Sequence, residues 1–206
     1  MARDGWYRNT VWTPEAKAAF EAKLKRARCK GQYLRIQACT LASREPEVAL
    51  ELLERYFALG EDFDLAQAFV DQATAYLALG RLEAAFESFE KALERERVFP
   101  NLRTTAALEL PYQIALAGHA LRYAQALDLL QSSVSQLMFP ADRFRYHAAR
   151  ALISHKSGKV GAREEARLAL EAAASDHSGF RYHPNVGLVS ERHAPALTQL
   201  RGLCDA

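Results

Sequence analysis

Residues that interrupt helices are scarce in this sequence. It has seven prolines and ten glycines among 206 residues, and β-branched residues are few beside alanine and leucine. Alanine and leucine are strong helix formers, whereas glycine and proline are the weakest. The composition therefore predicts an all-α fold. The length suits one medium domain, or one array of repeats, with enough chain to bury a core.

Long apolar runs and paired cysteines are also missing. No segment reaches the roughly 18 continuous apolar residues that a membrane-spanning helix needs, and the opening MARDG lacks the apolar core of a secretory signal. Cys29, Cys39 and Cys204 are odd in number and include no close pair. Neither a disulfide framework nor a zinc knuckle is expected from them. We expect a cytoplasmic protein with no membrane contact.

Recognisable catalytic and cofactor motifs are absent as well. The sequence has no nucleophile elbow, no glycine-rich phosphate loop and no HExxH motif. His147 and His155 are eight residues apart, so they lie two turns apart on one predicted helix. The C-terminal His177, His183 and His193 include no close-spaced pair that would form a tetrahedral metal site. We expect no metal, no cofactor and no enzymatic activity; an enzyme using this histidine-rich C-terminal segment is the alternative.

Charge, in contrast, is abundant and segregated along the chain. Residues 1–45 carry a net charge of +6, residues 46–99 of −7 and residues 100–206 of +3. Segments of one net charge are commonly the solvent-exposed faces of helices. A charged end of the chain can also attract an oppositely charged partner, or let two copies of the chain pair as a homodimer. The acidic block would repel phosphate, and the basic Lys23–Lys30 run has only core-like aromatic residues nearby. These features argue against nucleic acid as the partner.

Residues 66–99 carry the most informative pattern. Apolar positions at helical spacing run to Leu79, a turn signal follows at Gly80-Arg81, and a second helical run continues to about Glu96. Small side chains let two antiparallel helices approach closely, and aromatic ones fill the gap to the next pair. The pattern resembles the tetratricopeptide repeat, a helix–turn–helix unit of about 34 residues. The residues that carry the resemblance are Phe69, Ala73, Tyr76, Gly80, Leu82, Ala85, Phe89, Ala92 and Leu93.

The resemblance implies an all-α, right-handed superhelical stack of antiparallel helix pairs. Residues 1–30 are assigned to an N-terminal capping helix. Residues 31–176 are assigned to four helix pairs, of which 66–99 matches best and the other three approximately. A terminal pair leaves one apolar face uncovered, so residues 177–206 are assigned to a C-terminal cap.

Both ends of the chain carry further signals. Thr13 can cap a helix that starts at Pro14 and runs to about Cys29, and a short helix is predicted from about Ala194 to Leu203. Three aromatic residues precede the first of these helices. They either fold back on it as a plug or stand exposed as anchors for another chain, and we favour the plug. These residues are Trp6, Tyr7 and Trp12.

The resemblance also implies where a partner binds. Members of the family take a peptide or protein on the concave surface lined by the first helix of each pair. Val70, Asp71 and Thr74 stand where chaperone-binding members have a clamp of Lys, Asn and Arg, which argues against a chaperone tail as the ligand. On this analogy the groove is lined by Arg35, Gln67, Asp71, Thr74, Arg103, Thr104, Arg145 and Tyr146.

Three of these residues suggest the chemistry of the ligand. Arg103, Arg145 and Tyr146 are expected on one concave surface. A guanidinium group forms a planar fork that matches carboxylates, and tyrosine adds a rigid apolar contact. The ligand would then be acidic, or mixed acidic and aromatic. In the alternative interpretation, these arginines pair with Asp142 and Glu109 inside the stack.

The function expected from the sequence is therefore a protein-binding module, an adaptor or scaffold. Its preformed groove would take a helix or an extended segment of a partner. A dedicated inhibitor, such as an immunity protein that neutralises a toxin, fits the size and the lack of catalytic motifs equally well. RNA binding and an enzyme are the weaker alternatives.

Overall fold

The computed structural model describes residues 5–205. Across this range the regular structure is entirely helical, with ten α-helices, three short 3-10 turns and no strand. The predicted all-α class is confirmed. None of the helices in the described range combines the length and apolarity needed to cross a membrane. The chain divides into two compact units, Met1–Ala106 and Ala107–Ala206.

The first unit contains five helices. They are α1 (Pro14–Arg26), α2 (Lys30–Leu41), α3 (Pro46–Phe57), α4 (Leu65–Ala78) and α5 (Leu82–Val98). The Thr13 hydroxyl accepts a hydrogen bond from the Ala16 N–H (3.2 Å), so the predicted cap of α1 is confirmed. The helix ends earlier than predicted because Ala27 adopts an extended backbone (φ −75°, ψ 141°).

Small residues form the contact between α4 and α5. Ala73, Ala85 and Ala92 are completely buried, and Phe89 among them is 1% exposed. Alanine at these places lets the two helices pack closely. Leu82 is one of the residues that carry the repeat pattern, but its side chain is 39% exposed and contributes little to this core. The helices also pack as α2 with α3, α3 with α4 and α2 with α4.

The turn between α4 and α5 depends on Gly80. Its φ of +70° lies in the left-handed region, which glycine adopts without the penalty that a Cβ atom brings. The Arg81 N–H then donates to the Tyr76 carbonyl (2.9 Å), which closes the end of α4. The predicted turn at Gly80-Arg81 is confirmed.

The N-terminal aromatic residues pack on the helices of the first unit. The Trp6 ring lies 4.8 Å from Tyr33 and 5.5 Å from Phe20, measured between ring centroids. Trp12 lies 5.4 Å from Phe20, and Tyr7 lies 4.8 Å from Tyr33. The interpretation of these residues as a plug is confirmed.

A buried glutamine ties this N-terminal segment to α2. Gln37 has no exposed surface. Its Oε1 accepts from the Asn9 N–H (3.0 Å) and from Asn9 Nδ2 (2.9 Å), and its Nε2 donates to the Asn9 carbonyl (2.8 Å). A buried amide without such partners would be destabilising, so this pairing fixes the register of the plug on α2.

The second unit contains the remaining five helices. Pro111 lies inside the first of them, where it removes one backbone donor. Short 3-10 turns occupy Ala120–Arg122, Val134–Gln136 and Glu191–His193. The helices are α6 (Ala106–Ala117), α7 (Tyr123–Ser132), α8 (Pro140–Lys156), α9 (Ala162–Ala173) and α10 (Ala194–Asp205).

The C-terminal segment packs on α8 and α9. Ala196 and Leu200 of α10 are completely buried, and α10 contacts both helices. Ahead of α10, the Gly187 carbonyl accepts from the Ala141 N–H at the start of α8 (2.8 Å). Gly187 has a φ of +69°, and a Cβ atom there would lie 2.4 Å from the Phe139 ring. A larger residue at this position would push the loop away from α8.

Candidate functional site

Three of the predicted groove residues meet in the first unit, where α2 packs beside α4. Arg35 Nη1 lies 3.2 Å from Asp71 Oδ2 and Arg35 Nε lies 3.5 Å from Asp64 Oδ2. Gln67 Nε2 donates to Asp71 Oδ1 (3.0 Å). Burial raises the pKa of Asp71, while the Gln67 hydrogen bond and the Arg35 charge oppose that shift. A partner that approached this cluster would have to compete with its internal pairs.

Two other predicted groove residues of the first unit, Thr74 and Thr104, make hydrogen bonds within their own part of the chain. The Thr74 hydroxyl donates to the Val70 carbonyl one turn earlier in α4 (3.0 Å). The Thr104 N–H and hydroxyl both donate to Glu96 Oε1 (2.8 and 2.5 Å), which closes the connection after α5. Arg103 is open to solvent, with its side chain 60% exposed and Nη1 4.0 Å from Glu96.

Arg145, in the second unit, is buried rather than open. It is 4% exposed, with Nε 2.9 Å from Glu109 Oε1 and Nη1 3.4 Å from Asp142 Oδ1. Arg192 reaches the same Glu109 oxygen from the C-terminal segment (3.3 Å). For Arg145 the structure therefore shows the alternative interpretation, pairing inside the fold, and its guanidinium is not presented to a partner.

Tyr146 is also largely covered, at 8% exposed. The Arg150 guanidinium lies over its ring, 5.4 Å from the centroid, and the His147 ring packs edge-on at 5.1 Å. Arg150 Nε and His147 Nδ1 both contact the Glu165 carboxylate, at 2.6 and 2.7 Å. The residues around Tyr146 thus join α8 to α9.

His193 completes the buried cluster around Arg145. It is 1% exposed, and its ring lies 5.0 Å from Phe144 and 5.9 Å from Tyr112 between centroids. His193 Nδ1 lies 3.2 Å from the Ser190 carbonyl oxygen and 3.3 Å from its amide nitrogen. Burial, and then the positive charge of Arg145, lower the pKa of His193. The fold therefore favours the neutral imidazole.

This environment predicts a pH dependence for the second unit. The unfolded chain binds a proton at His193 below about pH 6.5, whereas the folded chain resists it, so stability should fall as the pH drops from about 7 into that range. We expect the wild type to lose more stability than His193→Gln between about pH 7.5 and about pH 5.5, in urea unfolding followed by circular dichroism. His155→Gln, at an exposed position of α8, should behave like the wild type. Equal losses in all three proteins would contradict the prediction.

The histidines and cysteines named as candidate ligands do not form a metal-type cluster in the described range. Between residues 5 and 205, no three His, Cys, Asp or Glu side chains are grouped where they could share a metal ion. Cys29, Cys39 and Cys204 are free thiols. His177 and His183 are exposed, unlike the buried His193.

An apolar cleft in the first unit was not anticipated from the sequence. It lies between the loop that follows α3 and the end of α5, with a volume of about 430 Å³. Phe63 is 81% exposed, Val98 64% and Phe99 45%. Contiguous exposed apolar side chains mark interaction sites more often than isolated ones do. We call it the Phe63 cleft; its lining residues are Asp62, Phe63, Arg95, Val98, Phe99, Pro100, Asn101 and Leu102.

Arg95 holds the two walls of the Phe63 cleft together. Its Nη1 lies 2.7 Å from Glu61 Oε2, and its guanidinium lies 4.1 Å from the Phe99 ring centroid, a cation–π distance. The loop is further fixed because the Asp62 carboxylate accepts from the Tyr56 hydroxyl. Since these contacts already order the walls, binding costs less conformational entropy than it would on a loose loop.

Two sequence features could have indicated this cleft. Phe63 stands between Asp62 and Asp64, in the acidic run that precedes α4. Val98 and Phe99 are adjacent large apolar residues directly before Pro100, beyond the predicted end of the helix at about Glu96. An unexplained large apolar residue beside a charged run is the signal that was missed.

Comparison with known proteins identifies no relative, since no family model, curated protein or solved structure matches the chain. The resemblance to the tetratricopeptide repeat therefore depends on the residues of the chain alone. The Phe63 cleft is open and apolar. In contrast, the polar side chains around Arg35 and around Arg145 pair with one another.

Proposed function

We propose that this chain is a cytoplasmic protein-binding module built as a tetratricopeptide-like stack of helix pairs, and that the Phe63 cleft is a contact surface for its partner. The observation that carries the proposal is the 81% exposure of Phe63 at the edge of a concave apolar surface. Free thiols at all three cysteines favour a reducing compartment.

The energetics support an anchoring role for this surface. Burial of one large apolar side chain contributes roughly 1.5–3 kcal/mol relative to leaving it in water. Phe63, Val98 and Phe99 together offer several such contributions within one concavity. Binding energy at protein interfaces is concentrated in a few residues of this kind, surrounded by contacts that exclude water. A partner side chain inserted between them would supply that anchor.

The proposed surface differs from the groove expected from the sequence. Arg35 and Asp71 pair with each other, and Arg145 pairs with Glu109 and Asp142. Breaking these pairs to bind a ligand would leave buried charges uncompensated. The apolar cleft needs no such exchange, so we place the partner's main contact there.

The proposal predicts that polar substitutions in the cleft abolish partner capture. In affinity purification from the native cell with mass spectrometry, Phe63→Ser combined with Val98→Ser should lose the partner that the wild type retains. With the isolated partner, calorimetry should show binding weakened by more than about tenfold, equal to about 1.4 kcal/mol.

Leu121→Ser is the matched control. Leu121 is 94% exposed and is not among the residues that line the cleft, so this variant should bind like the wild type. Partner capture by the cleft variant at the wild-type level would reject the Phe63 cleft as the binding surface.

A further inference from the structure

The last helix of the second unit, α10, is attached by few buried side chains. Within this helix, which the structure describes in full, the buried residues are Ala196 and Leu200. His193, directly before the helix, is 1% exposed and adds a third buried contact. Since the apolar area that an alanine and a leucine remove from water is small, the docked position of α10 depends strongly on His193.

His193 lies where a positive charge would be poorly accommodated. Its ring lies 5.0 Å from Phe144 and 5.9 Å from Tyr112 between centroids. Burial raises the pKa of the Tyr112 hydroxyl, so that side chain stays neutral and supplies no negative charge. An imidazolium at this place would lose its water and would be repelled by the guanidinium of Arg145.

The carboxylates of α6 and α8 near His193 already have partners. Glu109 lies 2.9 Å from Arg145 and 3.3 Å from Arg192. Asp142 lies 3.4 Å from Arg145 and accepts a hydrogen bond from the Phe139 N–H (2.9 Å). Glu109 favours the protonated imidazole, but burial and Arg145 outweigh it, and the pKa of His193 is lowered.

The carboxylates of the third helix packed against this segment, α9, are engaged as well. Glu191, in the 3-10 turn that carries His193, is exposed to solvent, where its charge is screened. The remaining pairs are Glu164 and Glu171 with Arg167, and Glu165 with His147 and Arg150. A proton on His193 would therefore have to share a carboxylate that another cation already holds.

From this arrangement we infer that residues 191–205, which we call the C-terminal cover, are released from α8 and α9 when His193 takes up a proton. The imidazolium moves into water, α10 follows, and the surface on which Ala196 and Leu200 pack becomes exposed. α8 stays folded because it keeps its own buried apolar residues, among them Leu152 and Ile153. Release confined to α10 differs from unfolding of the whole second unit.

Hydrogen exchange of the full chain, followed by mass spectrometry between about pH 7.5 and about pH 5.5, tests this inference. Protection is expressed relative to the intrinsic exchange rate at each pH. Below about pH 6.5, protection of α10 peptides should fall about tenfold per pH unit, the limit for uptake of one proton. Peptides of α8 and α9 should keep their protection. The His193 imidazole, followed by NMR, should titrate over the same pH range.

Two variants assign the effect to His193. His193→Gln, which carries no titratable group, should show α10 protection that does not change with pH. His155→Gln, at an exposed position of α8, should behave like the wild type. If His193→Gln does not fold, the NMR titration of the wild type makes the assignment.

Three results would overturn the inference. Constant α10 protection down to about pH 5.5 would show that the cover stays docked. Equal loss of protection in α8, α9 and α10 would show unfolding of the unit rather than release of one helix. A fall in α10 protection that persists in His193→Gln, or that precedes titration of the imidazole, would assign the effect to another group.

Discussion

Replacing Arg145 with methionine is expected to destabilise the second unit by about 3–5 kcal/mol. Arg145 is 4% exposed and contacts two carboxylates whose side chains are each 12% exposed. Methionine would fill much of the space but leave Glu109 and Asp142 buried without the shared cation. Removing one partner of a buried pair costs more than the pair contributes, because the remaining charge stays in the protein interior with neither its full set of partners nor water. Glu109 would keep only Arg192, at 3.3 Å, whose side chain is 59% exposed.

Arg103→Met is the matched control for this prediction. Arg103 was assigned the same role from the sequence, yet its side chain is 60% exposed and 4.0 Å from its carboxylate. Surface substitutions of this kind stay within about 0.5 kcal/mol. Hydrogen exchange of α8 and α10 peptides in increasing urea would report on the second unit alone.

The interpretation of Arg145 as a buried structural cation can also be tested by neutralising its partners, Glu109 and Asp142. Glu109→Gln with Asp142→Asn, added to Arg145→Met, should restore part of the lost stability, because no buried charge then remains. A single Arg145→Met variant that unfolds at the wild-type urea concentration would show that the guanidinium is solvated in solution and open to a ligand.

Local signals in the sequence were sufficient for the class of fold and for several helix ends. Thr13 caps α1, Pro14 begins it, and Gly80 adopts the positive φ that the turn after α4 requires. Each of these depends on a few neighbouring residues. The superhelical arrangement stays a prediction, because it depends on how successive pairs pack and no local pattern specifies that.

Burial of the polar residues could not be predicted in the same way. Arg103 and Arg145 look alike in sequence, but only Arg145 meets a partner 36 residues away, Glu109, through the packing of α6 and α8. Gln37 is similar, since its hydrogen bonds are to Asn9. Contacts between residues distant in sequence decide which polar groups are structural and which face a ligand. The periodicity of a single helix does not predict these contacts.

Two phenylalanines of the first unit, Phe63 and Phe89, show the same distinction for apolar residues. Phe89 was assigned to the core and is 1% exposed, whereas Phe63 was assigned no role and is 81% exposed. Phe89→Ala should lower the free energy of unfolding by about 3–5 kcal/mol, since it removes a buried ring and leaves a cavity between α4 and α5. Phe63→Ala should change it by less than about 0.5 kcal/mol.

Tryptophan fluorescence gives this comparison a local readout. Both tryptophans of the chain, Trp6 and Trp12, lie in the first unit and pack against Phe20, so urea unfolding followed by their emission reports on that unit. We expect a large shift of the midpoint for Phe89→Ala with an unchanged slope, which identifies a loss of stability rather than a change in the denatured state. A loss below about 1 kcal/mol for Phe89→Ala would mean that the small-residue contact of α4 and α5 is misplaced. A comparable loss for Phe63→Ala would mean that Phe63 belongs to the core and that the cleft is closed in solution.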